Sequence, residues 1–87
     1  MSKQEYIMHS DAGHGWLEVN RQELIDLGIE DKISEFSYQK DNKVYLEEDC
    51  DASLFLSAIK EKGQKYGWKE KFDGNTSPIR KYDRYSK

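Results

Sequence analysis

Apolar and polar positions change period several times along the chain, and each change marks an element. Tyr6, Ile7 and Met8 are bounded by polar residues, so residues 4–9 predict a short strand. Asp11-Ala12-Gly13 carries turn chemistry, and Trp16, Leu17 and Val19 predict a second strand over residues 15–19. The two form a β-hairpin whose loop is the stretch Met8-His9-Ser10-Asp11-Ala12-Gly13-His14-Gly15-Trp16. Asn20, with Glu23 three residues on, has capping-box spacing. Leu24, Ile25 and Leu27 follow. Gly28 supplies a left-handed stop, and Ile29 is placed for the hydrophobic contact such stops make. A helix of two turns relies on tertiary packing to persist.

Ile33, Phe36 and Tyr38 alternate loosely and predict a third strand over residues 33–39. Residues 40–43 read as a turn. In residues 44–48, Val44, Leu46 and Glu48 point one way and Tyr45 and Glu47 the other, which completes a second hairpin. Asp49 or Asp51 caps a second helix, on which Leu54, Phe55, Ala58 and Ile59 form one apolar stripe. Lys60 and Lys62 suit its C-terminal end, and Gly63 terminates it. Residues 65–72 set Tyr66, Trp68, Glu70 and Phe72 against Lys65, Gly67, Lys69 and Lys71, the period of a final strand. Gly74-Asn75 marks a turn. In residues 76–87, Ile79, Tyr82 and Tyr85 recur at three-residue steps, as a last helical turn packed on the sheet or a mobile extension. The order ββαββαβ predicts a single small α+β domain over residues 1–75. It has one mostly antiparallel sheet with two short helices on one face, followed by a basic-aromatic tail, 76–87.

Composition narrows the reading. A chain of 87 residues buries one modest core and leaves no cleft between lobes. Aromatic residues make up 13% of it and must fill much of that core. The 14 basic and 17 acidic residues give a net charge of −3, which argues against a generic nucleic-acid binder. The tail runs the other way, with Arg80, Lys81, Arg84 and Lys87 against Asp83. Cys50 is the lone cysteine, so internal disulfides and Cys-x-x-Cys zinc sites are excluded and a reduced, cytoplasmic setting is expected. No apolar run approaches the roughly 20 residues of a membrane span, and the first ten residues lack the apolar segment of a signal peptide.

Three stretches carry candidate chemistry. His9, Asp11 and His14 place two imidazoles and a carboxylate within six residues, a donor set suited to zinc or manganese. The same residues also suit a plain turn, because aspartate bonds its own backbone there. His14 oriented by Asp11 would serve acid–base chemistry. The acidic run Glu47-Glu48-Asp49-Cys50-Asp51 lies at a helix start, where anions stabilise the helix. Its functional alternative is a patch that docks on a basic surface, or mimics phosphates there. Four neighbouring acids raise the Cys50 pKa, and the thiol is expected to be inert and half-buried at the helix start. Gly13-His14-Gly15 is too short for a phosphate loop and precedes a strand. In the tail, Arg80, Tyr82 and Arg84 interleave charge with aromatic rings. That mixture suits a protein hot spot or single-stranded nucleic acid.

These residues also carry a resemblance. His9-x-Asp11-x-Gly13-His14-Gly15-Trp16-Leu17-x-Val19, Leu27-Gly28-Ile29, Ser37-Tyr38, Tyr45-Leu46-Glu47-Glu48-Asp49-Cys50-Asp51 and Ile79-Arg80-x-Tyr82 resemble a group of small phage, prophage and plasmid proteins. The likeness spans residues 8–85. Many such relatives show proline at the position of Ala12, so the turn here relies on Gly13. The resemblance implies no activity, ligand or catalytic residue. It implies a mobile element, whose small acidic proteins often bind a host protein, sometimes a defence enzyme.

The leading expectation is therefore a binding protein rather than an enzyme, docking on a host or phage protein. Its expected contacts are His14, Trp16, Glu47, Glu48, Asp49, Asp51, Arg80, Tyr82 and Arg84, with no cofactor. As surface contacts, Arg80 and Arg84 are expected to be dispensable for folding. The alternative is a metal-binding or hydrolytic module on His9, Asp11 and His14. A third reading is single-stranded nucleic-acid binding through the tail.

Overall fold

The N-terminal apolar runs form the expected hairpin. In the computed structural model, which describes residues 4–86, β1 (Gln4–Ser10) pairs antiparallel with β2 (Gly15–Asn20). α1 (Arg21–Asp26) follows directly, and the Asn20 N–H donates to the Glu23 carboxylate, as the capping spacing predicts. Gly28 takes a φ of 71°, and the Ile29 N–H reaches back to the Leu24 carbonyl, burying Ile29.

β3 (Tyr38–Lys40) and β4 (Lys43–Glu47) make the second hairpin, and β4 lies antiparallel to β2. α2 (Asp51–Glu61) then crosses the sheet and delivers β5 (Tyr66–Phe72) parallel to β1. A last short strand, β6 (Asp83–Arg84), pairs with β3. The sheet order is β5-β1-β2-β4-β3-β6, mixed, with β1·β5 as its parallel pairing. Both helices cover one face. Leu24 of α1 and Ala52, Phe55 and Ile59 of α2 pack on Tyr6, Leu17, Val19, Val44 and Leu46. The fold is the expected small α+β domain.

Three local expectations need correction. Residues 33–37 are not strand. Asp51 accepts hydrogen bonds from the Ser34 N–H (3.0 Å), the Ser34 hydroxyl (2.7 Å) and the Ser37 hydroxyl, and folds the segment into a turn. For the same reason Asp51 does not cap α2. Cys50 occupies the cap position without a side-chain cap bond, and it is exposed rather than half-buried. Glu48 lies beyond the end of β4.

The tail packs. After β5 the chain turns at Gly74 and crosses the second sheet face toward β3. A 3-10 turn over Pro78–Lys81 presses Ile79 against Trp16, Tyr38 and Tyr45, with Tyr82 beside them. Tyr85 reaches the main core. Lys87, counted in the basic tail, lies outside the described residues. Among those residues no helix is long and apolar enough to cross a membrane.

Candidate functional site

The β1–β2 loop is a clamp on the returning chain. The Asp11 side chain is fully buried and receives hydrogen bonds from five donors. The Gly13 and His14 amides donate from its own loop (2.9 and 3.0 Å), as in an aspartate turn. From the far end of the chain come the Ser77 amide (2.9 Å) and Arg80, through Nε (2.6 Å) and Nη2 (3.0 Å). Arg80, then the backbone amides, hold the Asp11 carboxyl well below the usual carboxylate range. A Cβ at Gly13 would lie 2.9 Å from Arg80 Nη2, so the group that approaches this glycine is the protein's own arginine. Ser77 also donates to Asp73 (2.7 Å), and the Ala12 amide donates to the Gly74 carbonyl (3.1 Å).

The geometry does not gather His9, Asp11 and His14 into one ligand set. Both Asp11 oxygens are committed. His9 is buried against Glu18 (2.8 Å) and the Tyr45 ring, with Asp73 3.9 Å away. His14, half-exposed, turns instead to Glu47, with Nδ1 3.6 Å from the carboxylate. His14, Glu47 and Asp49 offer ligand atoms that all lie within 4.8 Å of one another.

This triad borders a cleft of about 390 Å³. Trp16 and Tyr38 line it, each with an arginine over its ring: Arg80 at 5.2 Å from the Trp16 centroid and Arg84 at 4.9 Å from that of Tyr38. Glu47 and Asp49 supply the acids and Cys50 and Phe36 complete the lining. The loop, the acidic run and the tail therefore converge, although His14 and Arg84 lie 70 positions apart in sequence. Desolvation and the carboxylates of Glu47, Asp51 and Asp49 push the Cys50 thiol above its ordinary value, the direction the acidic run predicts.

Not every expected contact is a surface. Trp16, Glu47 and Asp51 are buried, and Tyr82 is half-buried 5.2 Å from the Tyr45 ring. Glu48 is exposed but lies on the α2 side, beside Met8 and Trp68. Arg80 is not a free surface cation, because it is paired with the buried Asp11 carboxylate. Sequence reading missed Phe36 by placing it in a strand. The signal for a turn was present in Ser34 and Ser37, which bracket it with hydroxyls that a strand interior rarely needs. No protein-family model, no curated protein and no solved structure matches the chain.

Proposed function

We propose that the protein is a binding module that docks on another protein through the cleft lined by Phe36, His14 and Arg84. Phe36 carries this reading. Its side chain is 59% exposed, it lines the same cleft as Trp16 and Tyr38, and charged groups surround it. An aromatic anchor inside a polar rim is typical of protein interfaces. The chemistry favours docking over catalysis, since desolvation and neighbouring carboxylates push the thiol of the cleft above its ordinary value and His14 faces carboxylates. Nucleic acid fits less well, because Glu47 and Asp49 oppose phosphate and Arg80 is committed to Asp11. The resemblance to phage, prophage and plasmid proteins directs this reading to a host or phage partner in the cytoplasm. Inhibition of a host defence complex is the form such an interaction would take.

The test is capture from bacterial lysate by the native chain and by Phe36→Asp, with and without nuclease. The expected result is one near-stoichiometric protein that survives nuclease and is lost with Phe36→Asp. The melting temperature of that variant should stay within about 2 °C, as for a surface change. Equal capture by Phe36→Asp removes the cleft as the contact. Recovery that vanishes with nuclease transfers the reading to nucleic acid.

A second reading rests on the His14, Glu47 and Asp49 donors. Imidazole with two carboxylates suits zinc or manganese. Either ion at about a hundred times its dissociation constant should stabilise the fold by about 2.7 kcal/mol. The melting temperature then rises by about 10 °C or more. His14→Ala should abolish that rise, and no rise with either ion ends this reading.

A further inference from the structure

The two edges of the sheet are unequal. β6 closes one edge with two residues, whereas β5 leaves seven on the other. An open strand of that length is a pairing template unless it is protected. The Gln4 N–H donates to the Lys65 carbonyl (3.1 Å), and the Asp73 N–H donates to the Ser10 carbonyl (2.6 Å). Backbone groups alternate sides along a strand, so the odd-numbered residues face β1. Trp68, Glu70 and Phe72 therefore turn their N–H and C=O groups outward.

Side chains sort by face. Trp68, 44% exposed, shares a groove with Met8 and Leu56 on the α2 side, and Phe72 is 69% exposed. Lys69 and Lys71 lie on the opposite face, both exposed. Residues 65–73 carry Lys65, Lys69 and Lys71 against Glu70 and Asp73, with Lys71 3.6 Å from Asp73, so this edge is net basic on an acidic chain.

We propose that β5 is a strand-addition site for an extended segment of a partner protein, apolar on one face and acidic on the other. The apolar residues would lie along Trp68 and Phe72, and the acids beside Lys69 and Lys71. Strand addition takes its affinity from main-chain bonds and its selectivity from alternate side chains. A second copy fits poorly. Antiparallel β5–β5 pairing centred on this strand sets Lys69 against Lys69, or Lys69 against Lys71, and facing like charges destabilise a pair. Single-stranded nucleic acid would satisfy the lysines but not the alternating backbone donors and acceptors. This site is separate from the Phe36 cleft and does not depend on it.

The test is selection of random short peptides displayed against the full chain, then anisotropy titration of a labelled selected peptide. The selected sequences should alternate apolar residues with Asp or Glu. Glu70→Pro removes an outward N–H and no bond to β1, the position where an edge strand tolerates proline. It should weaken binding by at least about tenfold with little change in melting temperature. Lys69→Glu with Lys71→Glu should shift selection toward basic peptides and keeps the test decisive if the proline variant misfolds. Phe36→Asp should leave peptide binding unchanged. Selected peptides without alternation, or binding indifferent to the charge reversal, would overturn the proposal. So would a native dimer that the charge reversal alters, or saturable oligothymidylate binding lost on the same reversal.

Discussion

Asp11→Ala should lower the melting temperature by more than about 10 °C, because five hydrogen bonds converge on this one buried acceptor and are lost together. The buried Ser77 amide would face an apolar methyl group, and an unpaired buried group costs more than its bond contributes, while the Arg80 guanidinium would lose the carboxylate that orients it. The strap over the second face then loses its anchor, and Ile79 loses its seat against Trp16. Arg80→Ala should act in the same direction, since it leaves the Asp11 charge buried without its partner. Arg84→Ala, which removes an exposed side chain that lies over the Tyr38 ring and donates to the Glu35 carbonyl at 3.3 Å, should shift melting by about 2 °C or less. Thermal melts followed by circular dichroism decide this, and an unchanged melt for Asp11→Ala would refute the clamp.

Acid provides a second check on the same residue. Arg80 first, then the amides of Ser77, Gly13 and His14, depress the Asp11 value in the folded state. A depressed value means that its stabilisation is complete above the unfolded-state value of about 3.9 and fades as pH falls below it. The native chain should therefore lose stability between about pH 5 and 2 more steeply than Asp11→Asn, which has no charge to titrate. Parallel slopes would place the acid sensitivity elsewhere.

Asp51→Ala should cost about 3 kcal/mol, because Asp51 is buried and holds three donors at once. It strips acceptors from the Ser34 amide and from the Ser34 and Ser37 hydroxyls, and the Ser37 oxygen in turn accepts the Glu47 amide at 3.0 Å. The turn that presents Phe36 should loosen. Capture of the partner should then weaken, though Asp51 lies outside the cleft lining. Asp49→Ala removes an exposed acid near the same helix end and should cost about 1 kcal/mol or less. Denaturant titration of the two variants separates the cases. Equal, small losses would show that Asp51 acts only through the helix dipole.

Local pattern was a good guide where one side chain answers to one period. Alternation in residues 44–48 placed Val44 and Leu46 on the core face and Tyr45 on the other, as observed, although the strand ends at Glu47. Gly28 and Gly63 both take positive φ at the helix ends they were expected to close. The pattern failed at residues 33–37, where apolar spacing resembled a strand but Asp51 draws in both serines. It also missed β6, whose two residues carry no period to read.

The sequence by itself determined the order of the first five strands and the two helices, the glycine stops of both helices and the core positions Phe55 and Ile59 of α2. These follow from spacing and from neighbours a few residues away. Only the tertiary structure decided what the histidine loop does. Asp11 meets Arg80 across 69 positions, and no local rule reports which distant cation will neutralise a buried carboxylate. That pairing takes Asp11 out of the donor set, leaves His14 facing Glu47 and Asp49, and turns a candidate metal loop into the clamp that holds the cleft together.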